Sequence, residues 1–207
     1  ATNIDLLLGK KKAPYSVKIH EMAEDILGTR PEWISGAVRK ELDRLGIEVV
    51  CGDSLKQVDG DTAVLSSGRT IDNAFCVWSA GVRTEDFLVD ISLSKEKTRV
   101  LVGNDLRPQD PLTDDIFFVG DSASFHPEGR DAPVRMAVMF SMGQGRVAAD
   151  NIAAKVEGRP VSKYTALDLG YLVPMAHGKA PGIVMGANVG GFPGYLMHYF
   201  MCVYRSE

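Results

Sequence analysis

The sequence predicts an α/β fold, and three observations carry that expectation. Short β-branched runs alternate with segments of helical apolar period, several runs end in Gly or Gly-Asp, and a hairpin-rich insert follows the first strand–helix–strand unit. Bulk properties agree with a folded chain. There are 207 residues, 45% hydrophobic and 24% charged, which is enough length for a buried core at the globular average. Lys+Arg 23 against Asp+Glu 27 leaves a net charge of -4, and the one dense basic tract is Lys10-Lys11-Lys12. Nucleic acid is therefore not an expected partner.

Residues 15–21 (YSVKIHE) alternate and carry β-branched side chains, a short strand ending on the acidic Glu21. Thr29-Arg30-Pro31 then opens a helix, because proline suits an early helical position. Trp33/Ile34, Ala37/Val38, Glu41/Leu42 and Leu45 keep the helical period until Gly46 stops it. Residues 47–51 form the next strand. Residues 55–58, 63–65 and 69–71 follow as an antiparallel meander punctuated by Asp59-Gly60 and Ser67-Gly68. Residues 74–79 (AFCVWS) have the character of a fully buried strand running into Ala80-Gly81-Val82-Arg83.

Beyond a polar stretch through Lys95-Glu96-Lys97, residues 99–102 and 116–119 are two further strands, the second breaking at Gly120-Asp121. Residues 133–156 favour a helix with Asp131 as N-cap and Pro133 in its first turn. Gly143 and Gly145 inside it predict close approach to another backbone or a ligand. Past Gly158-Arg159-Pro160, residues 169–175 and 182–187 are expected to pair across His177-Gly178-Lys179. From Ala180 to Tyr204 there is no Asp, Glu, Lys or Arg, and Phe192, Tyr195, Leu196, Tyr199, Phe200 and Val203 recur at helical spacing. A spanning helix needs about 20 mainly apolar residues, and glycines with Pro193 interrupt this one. It is expected to lie on its own core, on a partner subunit such as a second copy, or on a membrane surface.

Cys51, Cys76 and Cys202 make no CxxC pair and no zinc-ligand spacing, so no metal site is expected. Cys51 and Cys76 fit buried positions in a reducing, cytoplasmic setting. The N-terminal residues show no signal-peptide pattern. The strongest local signal is residues 116–123 (IFFVGDSA). At such a strand end, glycine lets a ligand approach the backbone and an exposed carboxylate can accept from ligand hydroxyls. The same Gly-Asp serves equally as a plain turn, and Glu21 serves equally as a solvated strand end. His126-Pro127-Glu128 belongs to a loop.

Taken in order, YSVKIHE, the first helix, GIEVVCG, SSGRTIDNAFCVWSAGVR, DIFFVGDSASF and MAVMFSMGQGRVAADNIAAKVEGR resemble the C-terminal half of FAD-dependent pyridine nucleotide-disulfide oxidoreductases, and within them the type II NADH dehydrogenases. The resemblance covers residues 17–185. It implies a flavoprotein fold of two Rossmann-like dinucleotide-binding domains. Residues 1–88 would be the remainder of the NADH-binding domain with its meander, 89–158 the C-terminal segment of the FAD-binding domain, and 159–207 a hairpin with the apolar helix.

It also implies FAD and NADH as cofactors, hydride transfer from NADH to the flavin, and electron delivery to a quinone or another small-molecule acceptor. The flavin performs the chemistry, so no dedicated catalytic side chain is implied. Gly120 and Asp121 match the carboxylate turn on the ribityl or pyrophosphate side of FAD. Glu21 matches the acid that takes the adenosine ribose hydroxyls of NADH. Ala80-Gly81-Val82 matches the turn beside the dinucleotide. Arg135, Met136, Ala137, Val138 and Met139 would line the flavin pyrimidine edge at a helix N-terminus, with Val138-Met139 standing where type II dehydrogenases carry Ala-Gln. Soluble NAD(P)H oxidases, ferredoxin reductases and sulfide reductases share the fold with other acceptors, and a non-catalytic module would leave Glu21 and Asp121 as surface carboxylates. No GxGxxG loop is present, Gly143-Gln144-Gly145 falling inside a helix. The sequence is thus expected to belong to a longer protein whose phosphate loops precede Ala1.

Overall fold

A single amphipathic helix between two parallel strands sets the first part of the chain. The computed structural model describes residues 1–10, 14–79, 81–82, 84–110 and 115–204, so Lys11, Lys12, Ala80 and Arg83 lie outside the described residues. After a short helix α1 (Thr2–Gly9), β1 (Lys18–Glu21) leads into α2 (Glu32–Arg44) and then β2 (Glu48–Cys51), with Glu21 level with Cys51 across the parallel pair. A parallel return requires a crossover of this kind. Helix α2 buries Ile34, Val38, Glu41 and Leu42 on one face, and Val38 and Leu42 share a core with Ile26, Ile47 and Met175. Its end is closed by Gly46 N–H to Asp43 O (3.0 Å) and Ile47 N–H to Leu42 O (2.9 Å), with Gly46 at φ +68. This is the Schellman arrangement that a left-handed glycine permits.

The meander forms as expected: β3 (Leu55–Asp59), β4 (Thr62–Leu65) and β5 (Thr70–Ile71) make an antiparallel sheet in that order. Residues 74–79 depart from expectation. They pair with no strand among the described residues, and Phe75 (94% exposed), Val77 and Trp78 (69%) lie open. An apolar run is buried in a sheet only where strands flank it and layers cover its faces; here it has neither. Cys76 and Cys51 are accordingly half-buried and not enclosed, and Cys202 is exposed.

Residues 79–168 form a separate compact unit. It contains α3 (Asp86–Asp90), β6 (Lys95–Glu96), β7 (Arg99–Val102), β8 (Ala123–Phe125) and α4 (Val138–Val156). Strand β7 is antiparallel to β6 and parallel to β8, Val100 standing level with Ala123. The expected strand at 116–119 is absent. Phe118 is buried in the core with Val100, Phe125 and Phe140, and its N–H donates to Leu106 O at 3.0 Å, but both edges of β7 are already taken by β6 and β8. The paired segment lies after Gly120-Asp121 and not before it.

Helix α4 starts at Val138 with Ala137 at its N-cap, five residues later than expected, and Asp131 does not cap it. The intervening backbone is engaged elsewhere: Val134 N–H donates to Phe125 O (2.9 Å), and Val134 O accepts from Arg99 (3.1 Å). Gly143 explains itself by close approach, since a Cβ there would lie 3.3 Å from the Tyr164 ring, whereas Gly145 faces open space. Asn151 is buried and satisfied. It donates to Asp105 O (3.2 Å) and Ser162 O (3.0 Å) and accepts from Ser162 N–H (2.7 Å).

The tail comprises β9 (Gly170–Leu172), β10 (Gly182–Val184), β11 (Ala187–Val189) and α5 (Gly191–Tyr204). The expected β9–β10 hairpin is present. The additional β11 returns through Met185-Gly186, both at positive φ, the two-residue turn whose twist suits a hairpin. Residues 169–207 group with residues 1–78. Two bonds show why: Ala176 N–H donates to Thr2 Oγ1 at 3.0 Å, and the Lys179 ammonium binds Glu41, whose side chain α2 buries to 4% exposure.

That buried carboxylate gives a pH signature. Hydrogen bonds from Arg44 above all, with Lys179 adding to them against the cost of burial, pull the Glu41 carboxyl from 4.5 down to about 2. A group depressed on folding stabilises the fold above its unfolded value and loses that contribution as pH falls through the folded one. Glu41→Gln is expected to lower unfolding free energy by about 2 kcal/mol at pH 7. In urea titrations the gap to the parent should close between pH 4.5 and 2; a gap constant with pH would show that the ion pair contributes nothing.

Candidate functional site

Gly120 sits where a side chain would be both strained and crowded. Its φ is +64, and a Cβ would stand 2.9 Å from Ser141 Oγ and 3.2 Å from Ser141 Cβ. Its N–H donates to Gln144 Oε1 at 2.5 Å. The 3-10 turn Gly120–Ser122 is thereby held against the first two turns of α4, and Ser122 Oγ–H closes it onto Val119 O at 2.8 Å. Asp121 follows on this turn, exposed, its carboxylate without a hydrogen-bond partner among the described residues.

Arg99 binds the segment that joins this turn to the helix. Its guanidinium donates to Ala123 O, just after the turn, and to Val134 O, before α4. Burial lowers the Arg99 pKa, and the Asp121 carboxylate is the largest charge acting against that shift. Nearby, Arg135 is held by Asp168 through two bonds of 2.6 and 2.9 Å and lies over the Phe140 ring at 5.2 Å.

Ala137, Val138 and Met139 form the N-cap and first turn of α4. Phe140 and Ser141 N–H both donate to Ala137 O (3.0 and 3.2 Å), whereas the Val138 and Met139 N–H groups precede the first internal helical bonds. The first turn carries no acidic side chain, so the partial positive charge of this 19-residue helix is not neutralised from within. Val138 is exposed and Met139 half-buried, its sulfur 3.9 Å from Arg135. Through Ser141 and Gln144, the structure thus brings Gly120 and Asp121 to the same helix end as Ala137, Val138 and Met139.

The other expected residues stand apart. Gly81 has φ +97 and Val82 is exposed; no hydrogen bond or ion pair joins either to the Gly120 turn among the described residues. Glu21 lies in the first unit at the carboxyl end of β1, half-buried, and its Oε1 accepts the Ala23 N–H at 3.0 Å. His126 is a loop residue, as expected. Its Nε2 is 2.8 Å from Glu96 Oε2, which also accepts Ser124 Oγ–H at 2.6 Å, and these two partners hold the Glu96 carboxyl below the usual range.

Sequence reasoning missed Gln144 and Arg99. Gln144 drew notice only as the centre of a failed glycine fingerprint. A signal was nevertheless present: Phe140, Gln144, Ala148 and Asn151 fall on one helical stripe, which marks Gln144 as an amide at an otherwise apolar position. Arg99 carried no such mark, because an arginine in a short strand is ordinarily solvated.

The arrangement fits a flavin dinucleotide. A turn with no room for a side chain, an exposed and unpartnered carboxylate, and a helix start free of acids suit ribose-type hydroxyls and an electron-rich ring edge.

The sequence profile of the family described as pyridine nucleotide-disulphide oxidoreductase matches residues 7–151. A type II NADH:quinone oxidoreductase of Staphylococcus saprophyticus is 28% identical over 115 residues, 56% of this chain and 28% of the relative. One of Staphylococcus epidermidis is 27% identical over 167 residues, 76% of this chain and 39% of the relative. The chain spans about a third of the length of these relatives. The solved structure of NDH2 from Plasmodium falciparum in complex with NADH superposes with a TM-score of 0.71 at 11% identity, covering 90% of this chain and 54% of that one. At that identity the likeness is one of fold.

Gly120→Ala is expected to destabilise the second unit by about 2 kcal/mol or more through positive φ and the clash with Ser141. Pairing it with Ser141→Gly should recover the steric part and leave the backbone part. Thermal or urea unfolding of the two variants measures both; equal stability of Gly120→Ala and the parent would contradict the close approach.

Proposed function

The chain belongs to the pyridine nucleotide-disulphide oxidoreductase family, and on that premise we propose that it serves a flavoprotein that oxidises NADH and reduces quinone, as the names of its relatives suggest. The observation that carries this reading is Asp121, exposed and without a hydrogen-bond partner among the described residues, on a glycine turn pinned to the start of α4. FAD, held by these residues, would supply the redox chemistry. The protein's own residues bind and orient. Asp121 accepts hydrogen bonds from the ribityl hydroxyls, with Gly120 allowing the approach. Ala137, Val138 and Met139 present the positive end of α4 to the pyrimidine edge and stabilise negative charge there. Glu21 accepts from the adenosine ribose of NADH and opposes a 2′-phosphate by its charge, and the Gly81-Val82 turn lies along the same dinucleotide. In this partition residues 1–88 serve NADH, 89–158 serve FAD, and 159–207 supply the hairpin and the apolar helix.

For the tail, a membrane surface on the cytoplasmic side suits its chemistry. Helix α5 exposes Phe192, Leu196, Tyr199 and Phe200 (70%), and with Met185 and Met201 it borders an apolar cleft of 540 Å³. Among the described residues no helix is long and apolar enough to cross a membrane, so α5 would lie in the interface. A second copy of the chain is the other body that could cover it.

Two experiments test these assignments. Flavin-fluorescence titration of the 207-residue chain should show FAD binding weakened about tenfold or more by Asp121→Ala, the loss of charge-assisted hydrogen bonds; equal affinity would remove Asp121 from the site. Cosedimentation with liposomes should fall when residues 192–204 are deleted. Equal sedimentation of both forms would dismiss the membrane contact, and a concentration-dependent dimer lost in the deleted form would assign the face to a second copy.

A further inference from the structure

Gln144 is an expensive residue for the position it holds. It is fully buried (0% exposed) in the middle of a helix whose neighbouring inward positions are Phe140 and Ala148. Its Oε1 accepts the Gly120 N–H at 2.5 Å, while its Nε2 is buried with no partner among the described residues. The orientation of the amide is not arbitrary, because only the oxygen can face an N–H donor. A leucine or methionine of similar volume would fill the site and leave no orphaned donor in a dry interior. Packing therefore gives no reason for an amide here. The Gly120 N–H does: it lies in a left-handed turn, Gln144 Oε1 is its acceptor, and without Gln144 it would lose that partner.

We propose that Gln144 is a positioning residue for the cofactor turn. It reaches from the second turn of α4 to hold the Gly120 N–H and so fixes the direction in which Asp121 presents its carboxylate to FAD. The helix that offers its N-terminus to the flavin and the turn that offers a carboxylate are locked in register by this one side chain. Arg99 binds Ala123 O and Val134 O and so ties down the segment that joins the turn to the helix. This inference rests on the assignment of FAD to Asp121.

The test compares Gln144→Leu and Gln144→Met, which remove the acceptor, with Gln144→Glu, whose carboxyl oxygen can still accept the N–H. Three quantities are read on the 207-residue chain: the thermal midpoint without flavin, hydrogen exchange at the Gly120 amide by NMR, and the FAD dissociation constant. The expected result is that Leu and Met variants stay folded, exchange the Gly120 amide about tenfold faster or more, and bind FAD about tenfold more weakly, the loss of one well-formed hydrogen bond, with Gln144→Glu recovering much of both. Folded Leu and Met variants with unchanged Gly120 exchange, or with faster exchange and unchanged FAD affinity, would overturn the positioning role. Loss of the fold in both would make Gln144 a folding residue and overturn it as well. Equal FAD affinity of the parent and of Asp121→Ala would sink the FAD assignment itself and this inference with it, an outcome recognised because Gln144 is intact in both.

Discussion

The second unit depends on a backbone constraint at Gly120. The chain must turn left-handed there, at φ +64, against a serine of α4 that leaves no space for a methyl group. Everything around the turn answers that need. Phe118 anchors the approach in the core, Gln144 takes the freed N–H, and β8 can then leave directly to pair with β7. Because the turn borrows an acceptor from α4, the helix and the exposed carboxylate of Asp121 cannot be placed independently. Site geometry and fold geometry are the same set of contacts here, which is how a rigid scaffold orients a polar group that itself remains in water.

In the first unit the corresponding constraint is electrostatic. Glu41 faces inward from α2, where an unpaired carboxylate would be costly, and it is tolerated because Arg44 and Lys179 both reach it. Arg44 is local to the helix; Lys179 comes from a segment more than a hundred residues away. The ion pair therefore does what the apolar core alone does loosely. It specifies where the loop between β9 and β10 sits against the β1–α2–β2 unit, beside the hydrophobic contribution of Met175.

Apolar surface is distributed unevenly in a manner that bears on function. Residues 74–79 and helix α5 both expose aromatic side chains, for different reasons. The extended run has backbone groups and side chains that want flanking strands. The helix satisfies its own backbone and leaves only side chains open, which is compatible with a partly ordered lipid surface where a free strand edge is not.

Much of this was legible in order along the chain. The β1–α2–β2 unit, the meander, the β9–β10 hairpin and the apolar tail helix follow from local periodicity and turn chemistry, which depend on residues close in sequence. The candidate site was partly legible as well: Gly120 and Asp121 stand out from the pattern, Ala137–Met139 only through the family resemblance, and the structure brings them to one helix end. Three local expectations failed for one reason. Residues 74–79 and 116–119 have the composition of strands, and Asp131 that of a cap, but pairing and capping are decided by which distant groups are free. Arg99, Phe125 and the two occupied edges of β7 settled the second and third; the lack of a pairing strand among the described residues settled the first. The sequence by itself determined the elements whose hydrogen bonds and buried faces are satisfied within some thirty residues. Only the tertiary structure decided that Gln144 would face Gly120 and Lys179 would reach Glu41, because a polar group taken from water must find whichever partner the packed chain brings within about 3 Å.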